Sequence, residues 1–326
     1  MSARGFWAGR SVLVTGGTGL VGSWLTKRLL ASGAEVVLLV KDLDPRSELV
    51  RSGDLARVAL VYGSLEDFGV LQHAVNLHQT ECVFHLGAQT LVEVAHRYPL
   101  ATFEANVRGT YNLLEVCRVH GAIVRRVVVA SSDKAYGEKA ELPYTEEMSL
   151  DARHTYDVSK SCADLIAQGY AHTYRLPVAI TRFGNVYGGG DLNPSRIVPG
   201  TIKSLLRRER PIVRSDGSFT RDYLYVEDVV AGYLLLAEAL DAQELHGQAF
   251  NFSTETRVSV LDLVARLQRL MGATDLAPDV RNTASAEIRH QHLSARKARE
   301  RLGWEPRFDL DAGLTRTIAW YREQVV

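Results

Sequence analysis

The stretch SVLVTGGTGLVG, residues 11–22, decides the fold. Its first five residues have the apolar, β-branched character of a buried strand, and apolar residues at helical spacing follow its last glycine. Gly16, Gly19 and Gly22 let the backbone turn sharply and approach a ligand closely, while a helix N-terminus offers unpaired N–H groups to an anion. The stretch therefore predicts a strand, a turn and a helix that bind the pyrophosphate of a dinucleotide.

Apolar runs downstream of this turn alternate with helical patterns. The sequence predicts further buried strands at 35–40, 58–62, 82–86, 127–130 and 178–182. Strands that are joined by helical crossovers form a parallel sheet with helices on both faces. The expected fold class is therefore α/β, with a doubly wound, Rossmann-type parallel sheet.

The regular alternation of strands and helices ends in the second half of the chain. The stretch 188–211 carries three prolines and is predicted to be rich in loops. A strand at 223–226, a helix at 229–240 and a strand at 249–252 indicate that the chain returns to the main sheet at about 222–253. We expect residues 1–186 to form the dinucleotide-binding domain and residues 187–326 to form mainly a smaller substrate-binding lobe.

Composition argues against several classes of protein. Lys+Arg and Asp+Glu both number 38, so neither nucleic acid nor a membrane surface is an expected partner. No apolar run approaches the roughly 18 to 20 residues that span a bilayer, and residues 1–10 lack the apolar core of a secretory signal, which predicts a cytoplasmic protein. Cys82, Cys117 and Cys162 lack metal-ligand spacing, so we expect buried reduced thiols and no metal site.

The residues after the second predicted strand bear on the choice of dinucleotide. Asp42 lies twenty residues beyond Gly22 and can accept a hydrogen bond from a ribose 2′-hydroxyl, which favours NAD. Lys41 and Arg46 can instead neutralise a 2′-phosphate. The sequence therefore favours NAD and leaves NADP possible.

Tyr156 and Lys160 stand four residues apart on a predicted helix and share one of its faces. Because a phenol has a pKa of about 10, we expect the Lys160 ammonium and an oxidised nicotinamide to favour the phenolate. Lys160 can also bind the nicotinamide ribose. Ser132 follows the fifth strand, at the sheet edge where such folds bind ligands, and can hydrogen-bond the same sugar oxygen. Tyr156 is therefore the predicted acid/base.

Six motifs together resemble the extended short-chain dehydrogenase/reductase family, and in particular its nucleotide-sugar dehydratases and epimerases. They are GGTGLVG at 16–22, HLGAQ at 85–89, NVRGT at 106–110, the Tyr156/Lys160 pair, NVYG at 185–188 and RDYLYVED at 221–228. The resemblance covers nearly the whole chain and implies an NAD-binding domain and a nucleotide-sugar-binding lobe. It also implies a homodimer in which helices at 101–121 and 155–174 pair across a two-fold axis.

The resemblance assigns binding residues as well. The cofactor site is expected to comprise Gly16, Gly19, Leu20, Val21, Gly22, Asp42, Ser64, Leu65, Leu86, Ala88, Tyr156 and Lys160. The substrate site is expected to comprise Gln89, Asn185, Arg196, Arg221 and Arg289. Arg221 and Arg289 are assigned to the diphosphate. The structural alternatives are a surface charge at Arg289, a turn-forming role for Asn185 and a solvated Arg196. His85 is expected to be a hydrogen-bonded packing residue.

Asp133 and Lys134, directly after Ser132, bear on the type of reaction. In the family pattern the 4-epimerases carry small inert residues there, the sugar 4,6-dehydratases carry an acid/base pair, and an Asp-Lys pair resembles the CDP-glucose 4,6-dehydratases. Elimination needs one group to remove the carbon-5 proton and another to protonate the departing 6-hydroxyl. By analogy Asp133 is the acid and neutral Lys134 the base, with a structural salt bridge between them as the alternative.

The implied reaction is an internal redox cycle. Tyr156 takes the 4-hydroxyl proton, hydride leaves carbon 4 for NAD, and after loss of water it returns to carbon 6, which gives a 4-keto-6-deoxy sugar. A nucleotide-sugar 4-epimerase is the main alternative; a non-catalytic NAD-responsive binding protein and a simple carbonyl reductase are two more. The sequence names neither the base nor the sugar of the substrate, and the base contacts are expected in loops at 193–211.

Overall fold

The computed structural model describes residues 3–283 and 288–323. The strands in these residues are β1 Ser11–Thr15, β2 Glu35–Val40, β3 Ala59–Tyr62, β4 Cys82–His85, β5 Arg126–Ala130, β6 Val178–Phe183, β7 Asn185–Tyr187, β8 Ile212–Val213, β9 Thr220–Tyr225, β10 Ala249–Phe252, β11 Arg257–Ser259 and β12 Asp279–Val280. Each buried strand that the sequence predicts for the main sheet is present, with ends that differ by no more than one residue.

The main sheet has seven strands in the order β10-β6-β5-β4-β1-β2-β3. All neighbours are parallel, and β1 lies between β2 and β4, so that Val12 pairs with Val36 on one side and with Cys82 on the other. The chain moves outward from β1 in one direction to β3 and then in the other to β10. The predicted doubly wound sheet is confirmed, and its ligand crevice is expected at the carboxyl ends of β1 and β4, where the strand order reverses.

The α-helices are α1 Ala3–Trp7, α2 Leu20–Ala31, α3 Glu48–Arg51, α4 Phe68–Leu77, α5 Val92–Arg97, α6 Pro99–Phe103, α7 Gly109–Val119, α8 Thr155–Tyr174, α9 Ile197–Leu206, α10 Val226–Ala239, α11 Val260–Met271, α12 Arg296–Leu302 and α13 Leu310–Arg322. A π-helical turn at 104–108 separates α6 from α7, so the single helix predicted from 101 is interrupted, whereas α8 has the predicted bounds. Short 3₁₀ turns lie at 54–57, 133–136 and 243–245.

Both faces of the main sheet are buried. Val12 and Val14 of β1 belong to a core that α2 and α10 cover, whereas Leu13 belongs to a second core beneath α4, α7 and α8. Because side chains alternate across a strand, a strand covered on both faces reads as a continuous apolar run. This is why the sequence reveals these strands so clearly.

A smaller three-stranded sheet has the order β11-β9-β7, and α9, α11 and α13 pack around it. The strand predicted at 223–226 is β9, which pairs with β7 and β11 rather than with the main sheet, while α10 begins at Val226. The chain then reaches the main sheet through β10, which pairs with β6. The proposed domain boundary at residue 186 stays a prediction.

The stretch 188–211 is not only loop, because α9 occupies Ile197–Leu206. Pro199 stands at the third position of this helix, where a backbone N–H has no acceptor within the helix and its absence costs little. The stretch 193–211, in which the base contacts are expected, therefore contains a helix as well as loops, and the contacts themselves stay a prediction. Pro199 belongs to the first turn of a helix and is not a helix breaker here.

The described residues also test the predictions on thiols and membranes. Cys82, Cys117 and Cys162 are free; the first two are buried as expected, whereas Cys162 is only half-buried. Within residues 3–283 and 288–323, no helix combines the length and the apolar character that crossing a membrane requires.

Candidate active site

The glycine turn forms a tight backbone cradle between β1 and α2. Gly16 has a φ of 70°, and a Cβ atom there would lie 2.8 Å from the backbone nitrogen of Gly87. A Cβ at Gly22 would lie 2.1 Å from the carbonyl oxygen of Gly16, so the helix could not approach the turn so closely. Gly19 provides no side-chain cap for the N–H groups of Leu20 and Val21. These uncapped donors at a helix N-terminus fit a pyrophosphate.

The charges after β2 are already partly neutralised. Asp42 is exposed beyond the end of the strand, as a ribose contact requires. Lys41 forms an ion pair with Glu66 at 3.5 Å, and Arg46 forms one with Asp44 at 2.7 Å. The two cations that would favour a 2′-phosphate therefore already have acidic partners.

The other predicted cofactor residues surround the cradle. Leu86 donates its backbone N–H to Thr15 at 3.2 Å, and Ala88 follows Gly87, whose N–H donates to the Thr15 hydroxyl at 3.0 Å. Leu65 reaches the start of α7, and the Ser64 hydroxyl donates to the carboxylate of Glu66. The segments after β3 and β4 are thus brought to the glycine turn.

His85 is a packing residue, as predicted. Its ring is 3% exposed, with Nδ1 2.8 Å from the hydroxyl of Thr15 and Nε2 3.0 Å from that of Thr110. Burial lowers the pKa of His85 to about 3, and the charge of Lys160 acts in the same direction. The neutral ring therefore links β1, β4 and α7 and has no free nitrogen for proton transfer.

The predicted reactive group lies where β5 ends and α8 begins. Lys160 is 6% exposed and donates from Nζ to the carbonyl oxygen of Ala130 at 2.8 Å, which fixes it beneath the end of β5. Tyr156, one helical turn earlier, is half-buried, and the Ser132 hydroxyl lies close enough to affect its phenol. The structure thus brings Ser132, Tyr156 and Lys160 together.

Burial controls the protonation of this group. It raises the pKa of Tyr156 above its ordinary value, and the opposing contributions come from the charge of Arg196 and the hydrogen bond with Ser132. Burial also lowers the pKa of Lys160 to about 8, while Asp164 opposes the shift. Desolvation of the phenolate outweighs the positive charge of Arg196 here, and the expected effect of Lys160 and an oxidised nicotinamide on this pKa stays a prediction.

Asp133 and Lys134 form the first turn of the 3₁₀ segment at 133–136. Asp133 is 4% exposed and accepts a hydrogen bond from the Ser132 hydroxyl at 3.0 Å. Burial raises the pKa of Asp133, opposed by Lys134 first and also by Arg221. Lys134 is half-buried and forms no ion pair with any residue that the structure describes. A direct salt bridge between the two side chains, the structural alternative, is therefore not formed.

A buried network anchors this catalytic turn. Tyr136 donates its hydroxyl to Asn251 of β10 at 2.8 Å and accepts a hydrogen bond from Arg182 of β6 at 2.7 Å. Arg182 in turn forms a two-pronged salt bridge with Asp164 of α8, in which the two side chains are 3% and 0% exposed. No local sequence pattern reveals these partners, because the residues that pair are far apart along the chain.

Arg221 is the predicted phosphate-binding residue that lies deepest in the site. It is 7% exposed, its Nη1 donates to the carbonyl oxygens of Thr220 and Arg289, and its charge acts on Asp133. The side chain of Arg289 is exposed, as its structural alternative supposes. Asn185 is half-buried in β7, in register with Tyr223, so it lies in a strand and not in a turn.

Arg196 contacts the segment that contains Gln89. Arg196 donates to Asp191 at 3.1 Å and to the hydroxyl of Thr90, which follows Gln89, at 3.4 Å. Gln89 is held by Asn106, which accepts from its backbone N–H at 2.7 Å and donates to its carbonyl oxygen at 3.0 Å. Arg196 therefore has two hydrogen-bond partners and its charge acts on Tyr156, although its side chain is still 39% exposed.

Asn106 and Asp157 are two buried polar residues to which the sequence analysis assigned no role. Asn106 is 2% exposed in the π-helical turn and also donates to the hydroxyl of Ser159 at 2.9 Å, which ties the helix 104–108 to α8. Asp157 is 4% exposed and adjoins Tyr156. Both residues are polar at positions where the periodic pattern of their helices calls for an apolar residue. This departure from the pattern is the signal that could have revealed them.

Comparison with known proteins gives this geometry a family. Residues 13–317 match the family model described as GDP-mannose 4,6 dehydratase. The CDP-glucose 4,6-dehydratase of Salmonella typhimurium is 32% identical over 99% of this chain and 93% of its own length. The UDP-glucose 4-epimerase of Mycolicibacterium smegmatis is 30% identical over 96% of this chain and 98% of its own.

A solved structure shows the same fold. The dTDP-glucose 4,6-dehydratase of Streptomyces venezuelae, determined with NAD and TYD bound, superimposes with a TM-score of 0.87 at 28% identity and covers 96% of this chain and 97% of that one. The resemblance inferred from the six motifs is confirmed. The chain belongs to the GDP-mannose 4,6 dehydratase family, within the extended short-chain dehydrogenases/reductases.

Proposed function

We propose that this chain is an NAD-dependent nucleotide-diphosphate-sugar 4,6-dehydratase, a lyase that forms a 4-keto-6-deoxy sugar. The observation that carries the proposal is the buried Asp133, with its raised pKa, beside Lys134 and the Ser132/Tyr156 pair. A buried carboxyl group whose protonated form is favoured by desolvation is suited to protonate a departing hydroxyl.

The residues of the chain divide the chemistry among them. Tyr156 accepts the proton of the sugar 4-hydroxyl, and Ser132 hydrogen-bonds the same oxygen. Once carbon 4 is a ketone, the proton on carbon 5 is acidic, and neutral Lys134 removes it. Asp133 donates its proton to the 6-hydroxyl, which leaves as water.

The cofactor fits the cradle that these residues surround. The close approach at Gly16 and Gly22 and the uncapped start of α2 suit a dinucleotide pyrophosphate, and the ion pairs of Lys41 and Arg46 favour NAD over NADP. When bound, NAD supplies the hydride acceptor and the positive charge of its oxidised ring. Asp42 is assigned to its adenosine ribose and Lys160 to its nicotinamide ribose.

The substrate is proposed to lie between the two sheets. Arg221 is assigned to the diphosphate because its guanidinium is buried and acts on Asp133, and Arg196 and Gln89 line the opposite side. Residues 1–186 together with about 222–253 would hold the cofactor, and the rest of 187–326 mainly the nucleotide sugar. Asn185 and Arg289 are assigned to the sugar and phosphates on the resemblance alone.

The test is incubation of the purified protein with CDP-, dTDP-, UDP- and GDP-hexoses without added NADH. We expect mass spectrometry to detect a product that has lost one water, together with the absorbance of a 4-keto sugar. A 4-epimerase is the second candidate, because the Mycolicibacterium relative carries that name. Inversion at carbon 4 with no loss of water would favour it and exclude the dehydratase.

We also propose a homodimer in the cytoplasm. Exposed apolar side chains lie on or near the helices that the resemblance pairs, among them Leu100, Tyr111, Leu165 and Tyr174. Covering such residues is a common reason for association. Sedimentation of the free protein at micromolar concentration is expected to show the dimer, and a monomer alone would contradict it. The free thiols of Cys82, Cys117 and Cys162 are typical of a reducing compartment, which cell fractionation can test.

A further inference from the structure

The turn at 133–136 carries the proposed acid and base of the elimination but lies beyond the end of its strand. β5 ends at Ala130, and the N–H of Ser131 donates to the carbonyl oxygen of Thr181 in β6 at 2.8 Å. Past this bond the chain leaves the sheet and forms a single short 3₁₀ turn. Because hydrogen-bond geometry in such turns is poor, contacts with other elements must fix the position of this one.

Tyr136, the last residue of the turn, makes these contacts. Its ring is buried and stacks on that of Tyr144, with the centroids 4.9 Å apart and the planes inclined by 16°. Its hydroxyl donates to Oδ1 of Asn251 at 2.8 Å and accepts from Nη1 of Arg182 at 2.7 Å. Asn251 of β10 and Arg182 of β6 are partners in the register of the main sheet. The hydroxyl therefore ties the turn to two adjacent strands.

Arg182 is in turn held by a buried carboxylate. Its Nε and Nη2 atoms donate to the two oxygens of Asp164 in α8 at 2.8 and 2.9 Å, and the two side chains are 3% and 0% exposed. Gln168 donates to the same carboxylate at 2.7 Å. Each of the three guanidinium nitrogens thus has an acceptor, so the direction of the bond to Tyr136 is fixed.

The cost of burying this ion pair indicates that it has a role besides stability. Removing two charges from water is unfavourable, and a buried ion pair often contributes no more to stability than apolar residues of similar volume. A buried polar network in which every group is hydrogen-bonded does, however, restrict its members to one geometry. This network ends at the hydroxyl of Tyr136, so the geometry that it fixes includes that of the turn.

The group that oxidises carbon 4 has an anchor of its own. Lys160 donates to the carbonyl oxygen of Ala130 at 2.8 Å, and Tyr156 lies one turn earlier in the 20-residue helix α8. Neither contact involves Tyr136. Loss of the Tyr136 hydroxyl therefore releases the turn but leaves Tyr156 and Lys160 in place.

We propose that Tyr136 is a positioning residue for the loss of water: through its bonds to Arg182 and Asn251 it holds the turn that carries the proposed acid and base. This role rests on the proposed dehydratase function. The phenol itself transfers no proton to the sugar, because it is fully buried and burial raises its pKa. It acts only as a hydrogen-bonding group.

Tyr136→Phe isolates this role, because it keeps the ring and its stacking on Tyr144 and removes only the hydroxyl. Proton transfer requires the reacting groups at hydrogen-bond distance, and a displacement of about 1 Å can lower a rate by about 100-fold. We therefore expect the elimination step to slow down while the oxidation of carbon 4 does not.

The test measures both steps in a single turnover of the wild type, Tyr136→Phe and Tyr187→Phe. Each protein, saturated with NAD, is mixed in excess with CDP-glucose, or with whichever of dTDP-, UDP- and GDP-glucose the wild type dehydrates. Absorbance follows the reduction of NAD, and mass spectrometry of quenched samples follows the loss of water. Because the enzyme is in excess, neither rate constant depends on small changes in the folded fraction.

In Tyr136→Phe the rate constant for water loss should fall by about 10- to 100-fold, while that for NAD reduction stays within about twofold of the wild type. Tyr187→Phe is the matched control. Tyr187 is 3% exposed, and its hydroxyl donates to the carbonyl oxygen of Leu310 at 3.3 Å, away from the turn. Both rate constants of this variant should match those of the wild type.

A wild-type rate of water loss in Tyr136→Phe would overturn the inference. Equal falls of the two rate constants would overturn it as well, because they would indicate a general loss of structure and no specific effect on the turn. If the wild type itself reduces NAD but releases no water from any of the four nucleotide sugars, the proposed function fails first and the inference with it.

Discussion

At the residue scale, the site depends on burial more than on direct ion pairing. Asp133 has a raised pKa although Lys134 and Arg221 both oppose the shift, because the cost of desolvating its carboxylate exceeds these attractions. The same cost raises the pKa of Tyr156. Asp133 is therefore poised to hold its proton, whereas Tyr156 needs the positive charge of an oxidised nicotinamide to favour the phenolate that accepts one.

Replacement of Tyr156 by Phe should remove the proton acceptor for the 4-hydroxyl and retain most of the buried ring. We expect kcat to fall by about 10²- to 10⁴-fold with little change in substrate affinity, as measured by steady-state kinetics and calorimetry. Tyr62→Phe, on a side chain that is 64% exposed, is the control and should leave kcat unchanged. Retention of more than about a tenth of kcat in Tyr156→Phe would exclude the assigned role.

Asp222 links protonation to stability. Burial raises its pKa from 3.8 to about 6, even though Ser253 and Thr254 donate hydrogen bonds to it. The folded state binds this proton more tightly than the unfolded state. The contribution of Asp222 protonation to the free energy of unfolding is therefore fully present below pH 3.8 and is lost as the pH rises through about 6.

Asp222→Asn should therefore gain free energy of unfolding relative to the wild type across this window, by up to about 3 kcal/mol. Urea denaturation at several pH values measures the difference. A difference that does not change with pH would show that the buried carboxyl group does not titrate as stated.

How much of the site the sequence predicts depends on whether a residue's role is local. Tyr156 and Lys160 are four residues apart on one helix, so their spacing alone predicts that they meet. Asn106 holds Gln89 and Ser159, which are distant along the chain, and no local pattern reports such partners. Arg196 was assigned to the substrate, but its contacts with Asp191 and Thr90 become visible only when the two sheets are assembled.

At the element scale, the β1 turn and α2 tolerate no added side chain where they meet. A Cβ at Gly22 would lie 2.1 Å from the Gly16 oxygen and 2.7 Å from the Gly17 Cα, and both are backbone atoms that cannot rotate away. The glycine thus permits the close packing that sets the helix N-terminus against the cradle.

Gly22→Ala should accordingly impair both folding and NAD binding, with a loss of stability of at least about 1 to 3 kcal/mol. Gly169→Ala is the matched control, because a Cβ at this position in α8 meets nothing within 4 Å. Its expected effect is a gain of up to about 1 kcal/mol, since alanine has the higher helix propensity. Thermal unfolding and fluorescence titration with NAD compare the two variants. Equal stability and equal NAD affinity would argue against a role of the glycine turn in binding NAD.

Strands and helices can be predicted where their packing leaves a periodic pattern of apolar residues in the sequence. β1 to β6 are covered on both faces and appear as apolar runs, whereas α9 was hidden by Pro199 in its first turn. The strand β9 was found, but its place in the smaller sheet was not, because strand pairing between distant segments is set by tertiary packing rather than by local sequence.

At the scale of the whole molecule, a cluster of two tryptophans and a buried acid joins the helices of the smaller sheet to those of the main sheet. Trp320 of α13 donates to the carboxylate of Glu48 in α3 at 2.6 Å, and Lys27 of α2 forms an ion pair with the same carboxylate. Trp24 of α2 donates to the carbonyl oxygen of Gly189 at 2.7 Å. The C-terminal helix is thereby tied to the helix that follows the glycine turn.

Trp320→Phe keeps an aromatic ring but removes the indole N–H that donates to Glu48. Glu48 is only 8% exposed. We expect the free energy of unfolding to fall by about 1.5 to 3 kcal/mol, the typical contribution of a hydrogen bond to a charged group. Arg208→Gln, which removes an ion pair with Asp275 between exposed side chains, should cost no more than about 1 kcal/mol. Equal losses in the two variants, measured by chemical denaturation, would mean that the tryptophan link adds no stability of its own.

The most direct test of the central claim follows one atom through the reaction. A nucleotide hexose that carries deuterium at carbon 4 is incubated with the enzyme and no external NADH, and the product is analysed by NMR and mass spectrometry. The account predicts a 4-keto-6-deoxy sugar whose carbon-6 methyl group contains the deuterium. Deuterium retained at carbon 4 of an epimerised, fully hydroxylated hexose would contradict it.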